Sequence, residues 1–479
     1  MRQDRNSSAH FVGIGGIGLS GLARLLRSWG WEVSGSDREA SPLTTRLAQG
    51  GITVHIGHDA RHVGDAELVV VSSAIAADNP ELVAAKQQGR TVIKRDELLS
   101  QVTHGKRCVA IAGTHGKTTT TAMTGLCLEE AGLDPLVLVG GIVREWDSNI
   151  RLSRSDLVVV EADEYDHAFL GLRPDAAVVT TIEMDHPDIF ANMADVTEAF
   201  GRFLEQVQPG GVIIAHTPDA ALEDALQTRA PNVTVWRYGL EEAGDWTATD
   251  IAGNAQGGND FSVRFRGQDM GRFALPVPGK HNVSNALAAI AVTRWVGQRH
   301  GIAQAATEAA RTALESFRGV DRRMQRLGIA REILVVDDYA HHPTEVQATL
   351  SALRDQSPDR PVWAIFQPHT FSRTKALLDQ FASCFGQADH VLVTDIYAAR
   401  EVSNGTVDAQ SLVAKMDHPD ARYVGSLDRA LAYALQYARP GDTVITLGAG
   451  NVTTLGPRLL KALGFSREIN LPERYHEAC

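Results

Sequence analysis

The stretch Val109–Thr121 reads VAIAGTHGKTTTT, and its reading decides the fold. A short apolar run ends in Gly113-Thr114-His115-Gly116-Lys117-Thr118 and leads into a helix-compatible run. A strand that feeds a helix through such a turn aims backbone N–H groups at a phosphate. The lysine then reaches the terminal phosphates and the hydroxyl meets a divalent cation. Ile111 stands where the GxxxxGK[ST] pattern has its first glycine. An incidental Gly-Lys-Thr is the competing reading, and the strand–loop–helix context argues against it.

Outward from this point the chain keeps alternating short apolar runs with helical patterns. Strands are expected at His10–Ile14, Glu67–Ser72, Arg107–Ala112, Asp156–Glu161, Ala177–Ile182 and Gly211–Ala215, with a helix at Leu19–Ser28. Further strands are expected at Glu332–Asp337, Val362–Gln367, His390–Asp395 and Asp442–Leu447. Such alternation means βαβ units and mostly parallel sheets, and so many strands need several α/β domains. Polar Gln101–Lys106 and basic, Gly-containing Phe317–Gln325 mark breaks, and Tyr238–Pro278 turns Gly-rich and strand-like, as an antiparallel insertion would.

A second glycine cluster, FVGIGGIGLS at Phe11–Ser20, satisfies GxGxxG with Gly13, Gly15 and Gly18. Asp37 follows in SGSD, where an acid would meet a ribose hydroxyl. The context favours a nucleotide-type diphosphate over a bare Gly-rich turn, but not a dinucleotide over a nucleotide sugar. Two phosphate loops exclude a simple dehydrogenase.

Composition agrees. The 479 residues correspond to roughly three domains of about 150 each. With 46 basic and 58 acidic side chains the net charge is −12, which argues against a general nucleic-acid or membrane-surface binder. Cys108, Cys127, Cys384 and Cys479 show no CxxC spacing and read as reduced thiols of a cytoplasmic protein. The polar start MRQDRNSSAH is unlike a signal peptide, and no apolar run reaches 18 residues.

Other constellations sit at expected strand ends. VEADEYD at Val160–Asp166 places Glu161 at the carboxyl end of a strand; its crowded acids call for a cation, with a solvated acidic loop as the alternative. TTIEMDHPDIF carries His186, which gains meaning only jointly with Lys117 and Glu161. In VPGKHNVSNALAA, His281, Asn282 and Asn285 open a helix; the two amides either read an adenine edge, or Asn282 caps the helix. VVDDYAHHPTE, FQPHTFSRT and TLGAGN supply three polar or Gly-rich loops that would converge at one carboxyl edge.

These motifs, together with SSAI at Ser72–Ile75 and GVDRRMQ at Gly319–Gln325, resemble the Mur ligase family, ATP-dependent amide-bond-forming enzymes of peptidoglycan synthesis. The resemblance runs in order over nearly the whole chain. It implies an α/β protein of three domains: a Rossmann-like UDP-sugar domain over 1–106, a central P-loop ATPase-type domain over 107–318, and a Rossmann-like amino-acid domain over 319–479. It also implies ATP and Mg²⁺ as cofactors, UDP-N-acetylmuramate and L-alanine as substrates, no nucleic-acid or membrane partner, and a monomer or weak homodimer in the cytoplasm.

Residue by residue, the resemblance sets Gly15, Gly16, Ile17 and Gly18 around the diphosphate, with Asp37, His58, Ser73 and Arg95 as further contacts. Gly113, Thr114, His115, Gly116, Lys117, Thr118 and Thr119 would hold ATP, with His281, Asn282, Asn285, Arg323 and Asp338. Thr118, Glu161 and His186 would hold Mg²⁺. Lys117, Glu161, His186, Arg323, Asp338 and His341 would be catalytic, with Tyr339, His341 and Arg373 at the amino acid and a base or Asp–His pair near His341. Two departures stand out. Thr370 follows His369 where relatives often carry arginine, and no lysine lies between Lys117 and Lys280, so the carbamylated-lysine bridge of other branches is absent. The tyrosine of EADEYD also occurs in the ligase that recycles murein tripeptide, which keeps L-Ala-γ-D-Glu-diaminopimelate as an alternative substrate.

Overall fold

The computed structural model describes residues 7–229, 233–241, 244–403 and 405–464; Cys479 lies outside them, as do the first six residues of the polar start. The chain divides into two compact units that meet in sequence between Asp321 and Arg322.

The first unit holds two sheets. One has five parallel strands in the order Thr53–Ile56, Glu32–Asp37, Ser8–Val12, Leu68–Val71, Thr91–Lys94. Helix Ile17–Ser28 follows the central strand and buries Leu19, Leu22, Leu25 and Leu26 on one stripe. Each such side chain contributes about 1.5–3 kcal/mol on burial. Helix Arg95–Thr103 takes in the start of the polar stretch expected to be a break, because its buried positions Leu98 and Val102 repeat at helical spacing.

The other sheet has ten strands. Parallel strands Thr234–Leu240, Val212–His216, Ala176–Val179, Arg107–Ala112, Leu157–Glu161 and Leu136–Val143 form its middle. They are near-continuous apolar runs because helices cover both faces. The expected insertion is present as the strands Trp246–Gly253, Asn259–Phe265 and Gln268–Leu275, antiparallel to one another, at one edge. Helix Lys117–Glu130 packs against helices Lys280–Arg299 and Ala303–Glu315. One continuous core runs from Phe11 and Leu26 through Ile150 and Leu172 to Phe200 and Phe203, so the two sheets share buried surface. Buried Asn149 crosses between them, its Nδ2 donating to Ser20 Oγ at 3.0 Å and to the Ile17 carbonyl.

The second unit is one six-stranded sheet in the order Gln325–Ala330, Ile333–Asp338, Thr443–Leu447, Val362–Phe366, His390–Thr394, Ala421–Gly425. Its first strand is antiparallel and the rest are parallel. Cores of Val336, Phe366 and Phe381 on one face and Val335, Trp363 and Leu459 on the other cover the sheet. Parallel strands bring their carboxyl ends to one edge, and that topology positions every loop considered below.

Candidate active site

The turn after strand Arg107–Ala112 is built on two glycines. Gly113 has φ 127° and Gly116 has φ 80°, conformations that side-chain-bearing residues rarely adopt. A Cβ at Gly113 would press on Thr180, 2.8 Å from its amide, and one at Gly116 would sit 2.5 Å from Asn285 Oδ1. The loop is pinned from the neighbouring strand: Thr114 N donates to Thr181 O at 2.7 Å, and Thr180 Oγ1 donates to His115 O. Helix Lys117–Glu130 starts there without a side-chain cap, so its first amides and dipole face the loop. Thr118 and Thr119 are buried in that first turn.

Lys117 Nζ donates to Gly113 O at 2.6 Å and to both carboxylate oxygens of Glu164, at 2.7 and 2.9 Å. Burial alone would lower this lysine's pKa, but the carboxylates of Glu164, Asp163 and Glu161 outweigh it and hold the ammonium above the ordinary lysine value.

The crowded acids of EADEYD diverge, and this corrects the expectation that a metal must neutralise them together. Glu161 accepts from Thr118 Oγ1 at 3.0 Å and from Gly140 N at 2.7 Å. Asp163 pairs with Arg95 at 2.8 Å, Glu164 with Lys117, and Asp166 with Lys94 at 2.7 Å. Three protein cations thus serve three acids, while Glu161 meets the neutral donors Thr118 and Gly140. Burial would raise Asp163, but Arg95 and Lys117 hold its carboxyl below the usual range. His186 lies beside Glu164, Nε2 to Oε1 3.9 Å, and its ring meets Tyr165 edge-on at 5.0 Å.

Helix Lys280–Arg299 is capped by Gly279, not by Asn282 as one reading expected. Buried Asn282 instead donates to Pro278 O at 2.6 Å, and Asn285 donates to Asn282 Oδ1 at 3.2 Å. His281 occupies the same first turn. Asn285 lies against Gly116 of the phosphate loop, and Asn282 is joined to it by that hydrogen bond.

In the five-stranded sheet every singled-out residue falls at a strand's carboxyl end. Gly15–Gly18 follow Ser8–Val12, Asp37 closes Glu32–Asp37, His58 follows Thr53–Ile56, exposed Ser73 follows Leu68–Val71, and Arg95 follows Thr91–Lys94. Asp37 departs from the ribose expectation in one respect: its Oδ2 accepts from Gly15 N at 2.8 Å. Gly15 permits this, since a Cβ would lie 2.7 Å from that oxygen. Arg95 lies against Gly18, where a Cβ would come within 2.8 Å of its Nη1. Sequence reasoning missed Glu81, a buried carboxylate that accepts from His62 at 2.9 Å, Ser36 and the Asp59 amide, with His58 3.3 Å away. Burial would raise it, but the nearby His10, 3.6 Å away, and hydrogen bonds from Ser36 and His62 hold it down to about 2.

A cleft joins these elements. Ile17, Gly18 and Arg95 of the first sheet's loops line it together with Gly140, Glu161 and Asp163 of the second.

In the second unit, Asp338 ends its strand and accepts from Met324 N and Ala340 N, both at 2.7 Å; burial raises its carboxyl to about 6. Arg323 lies over the Tyr339 ring at 5.0 Å and 3.8 Å from Glu345. His341 Nδ1 is 3.0 Å from Tyr339 O and 3.3 Å from Glu345, so the glutamate four residues on is a carboxylate beside this histidine. Pro343 opens a helix that His342 caps. Buried Arg373 donates to His369 O at 3.0 Å, and the His369 ring lies 6.0 Å from His341 and 5.7 Å from Tyr397. Thr370 Oγ1 donates to Glu401 at 2.6 Å, and Ser372 N to the same carboxylate at 2.9 Å. Arg322, also missed, bonds Gly448 O at 2.7 Å and fixes the TLGAGN loop. Glu401 lies outside every motif quoted above, whereas Arg322 stands within GVDRRMQ, where only its neighbour Arg323 was singled out.

Phosphate-loop turns on two sheets, and a third sheet edge carrying histidine and arginine, define a three-domain α/β enzyme that works with a nucleoside triphosphate. Three family models match in order: "Mur ligase family, catalytic domain" over residues 8–107, "Mur ligase middle domain" over 111–293 and "Mur ligase, glutamate ligase domain" over 322–450. The chain is 41% identical over 468 residues to the UDP-N-acetylmuramate–L-alanine ligase of Syntrophobacter fumaroxidans, covering 96% of this chain and 97% of that one. Its structure resembles the UDP-N-acetylmuramate–alanine ligase of Thermotoga maritima (TM-score 0.78, 27% identity, 95% of this chain and 98% of that one). It also resembles a murein peptide ligase of Psychrobacter arcticus (TM-score 0.72, 28% identity, 97% and 100%). The chain belongs to the Mur ligase family of ATP-dependent ligases that form C–N bonds.

Proposed function

We propose that the protein joins L-alanine to the lactyl carboxylate of UDP-N-acetylmuramate, with ATP cleaved to ADP and phosphate. The observation that carries this reading is the shared cleft, in which a diphosphate-type glycine loop and Arg95 face Glu161 beside the Lys117 loop. A sugar nucleotide held at Gly15–Gly18 with Arg95, Asp37, His58 and Ser73 around it would extend toward the triphosphate. Full-length similarity to an L-alanine ligase at 41% identity, together with a TM-score of 0.78 to the solved alanine ligase against 0.72 to the murein peptide ligase, favours alanine over the tripeptide.

A carboxylate is a poor electrophile, so it must first be activated. Its oxygen attacks the γ-phosphorus of ATP, ADP leaves, and an acyl phosphate forms. The alanine amine then attacks the acyl carbon, inorganic phosphate leaves, and the amine's proton goes to a base. Both partners of the first step are anions. Lys117 and the amides of Gly113–Thr119 neutralise and orient the phosphates. Asn285 lies against the same loop, with Asn282 hydrogen-bonded to it and His281 in their helical turn, and we assign the three to the nucleotide. Thr118, Glu161 and His186 suit Mg²⁺: Glu161 engages the neutral Thr118 and Gly140, which leaves its charge to a hard cation. When bound, that ion supplies charge neutralisation at the phosphoryl oxygens. Arg373 is assigned to the alanine carboxylate, Tyr339 to positioning, and His341, held by Glu345, to the amine's proton.

Cys108, Cys127 and Cys384 are buried free thiols, which supports a cytoplasmic enzyme. Among the described residues no helix is long and apolar enough to cross a membrane. The state proposed is monomer or weak homodimer, checked by sedimentation. The deciding assay is ADP release with UDP-N-acetylmuramate and, in parallel, L-alanine, glycine, L-serine and L-Ala-γ-D-Glu-diaminopimelate. L-Alanine is expected to give the highest kcat/KM; preference for the tripeptide overturns the assignment.

A further inference from the structure

Four acids leave one short segment, and two of them occupy the cations of two different phosphate sites. Asp163 Oδ2 holds Arg95 at 2.8 Å, and Arg95 lies against Gly18 of the diphosphate loop. The next residue, Glu164, holds Lys117 of the other loop through both oxygens. The segment is itself anchored: Glu161 is tied to Thr118 and Gly140, Asp166 to Lys94, and Asp163 Oδ1 accepts from Tyr165 N at 3.1 Å. Asp163 and Glu164 therefore bond the same two cations that the phosphate oxygens are assigned to meet.

We propose that Asp163 and Glu164 are positioning residues that couple the sugar-nucleotide site to the ATP site. They act through Arg95 and Lys117, which they hold in place until a phosphate takes each cation over. A charge-assisted hydrogen bond is strong, so each ligand binding alone must displace one acid from its cation. The two acids are adjacent in sequence, and a shift of the segment that frees one cation strains the contact to the other. The first ligand thus lowers the barrier to displacement met by the second, and reciprocity requires the effect to run both ways. A diphosphate on Arg95 tightens ATP on Lys117, and ATP tightens the diphosphate. This inference rests on the assignment of Arg95 to a sugar diphosphate made above.

The test is calorimetric titration of the full-length protein with a non-hydrolysable ATP analogue, with and without saturating UDP-N-acetylmuramate, and the reverse titration. The parent is expected to show tightening of about 5-fold or more in both directions, within the usual range of coupling between sites. Two near-isosteric variants, Asp163→Asn and Glu164→Gln, are measured separately. Asp163→Asn should bind the sugar nucleotide alone more tightly, Glu164→Gln should bind the ATP analogue alone more tightly, and in both the coupling should fall below about 2-fold. Structural damage would weaken single-ligand binding, so tightening separates the positioning role from a merely structural one. Binding of both ligands to the parent with no coupling, or parent-level coupling in both variants, overturns the proposal alone. No binding of UDP-N-acetylmuramate to the parent overturns the assigned function, and the proposal with it.

Discussion

Replacing Lys117 by methionine removes one charge and keeps most of the side-chain volume. The structure says what is left behind. Glu164, its side chain 3% exposed, loses two hydrogen bonds of 2.7 and 2.9 Å, and Gly113 O loses one of 2.6 Å. Breaking a buried ion pair from one side costs about 3–5 kcal/mol, because the remaining charge stays in a poorly solvating place. At about 2–4 °C per kcal/mol for a domain of this size, the matching thermal transition should fall by roughly 6–20 °C. Turnover, followed as ADP release that depends on all three substrates, should drop on the order of 10²–10³-fold, as when one preorganised donor to a developing anion is removed. A second variant separates the two effects. Lys117→Met with Glu164→Leu replaces the pair by apolar groups and should recover most of the stability, since such exchanges are often neutral. It should recover none of the activity. Parent-like turnover in Lys117→Met refutes the catalytic assignment, and an unchanged midpoint refutes the buried-pair argument. Turnover regained in the double variant would reduce Lys117 to a structural partner of Glu164.

Gly113→Ala should destabilise by about 2–6 kcal/mol, the sum of a strained backbone at φ 127° and overpacking against Thr180, and should abolish ATP-analogue binding in calorimetry; a folded, nucleotide-binding variant contradicts the loop geometry. Asp338 is raised by burial from the ordinary 3.8 to about 6, so the folded state holds this proton more tightly than the unfolded chain. Its stability contribution, up to about 3 kcal/mol, is full below about pH 4 and is lost as pH rises through 6. Asp338→Asn should therefore flatten the thermal midpoint against pH between 4 and 6, and an unaltered slope would show that the group does not titrate there. Burial pushes the Cys108 and Cys127 thiols up to about 12 and raises Cys384 too. Cys108→Ser should keep turnover within about 2-fold while losing about 1–3 kcal/mol for a buried hydroxyl; inactivation without unfolding would point to thiol chemistry.

The chain's local chemistry was legible wherever a backbone demand selects a residue type. Gly113 and Gly116 are written because φ is positive there, and the apolar runs are written because both faces of a parallel sheet are covered. Runs such as Arg107–Ala112 and Val362–Phe366 could be read within a residue of their observed bounds. Since parallel strands end on one edge, the sequence by itself also pointed to a shared edge for VVDDYAHHPTE, FQPHTFSRT and TLGAGN, whereas the strands that bring Gly15, Asp37, His58 and Arg95 to one side were given by the structure. What the sequence left undecided was which charge meets which. EADEYD reads as a crowd of acids awaiting one metal, and only the tertiary structure sends Asp163 to Arg95, Glu164 to Lys117 and Asp166 to Lys94. Glu81 and Glu401 were invisible for the same reason: Glu81 bonds His62 and Ser36 at separations of 19 and 45 residues, and Glu401 bonds Ser372 and Thr370 at 29 and 31. Helix caps, glycine turns and strand faces are short-range and are set by neighbours along the chain. Ion pairs between segments depend on how the sheets pack, and no local pattern encodes that.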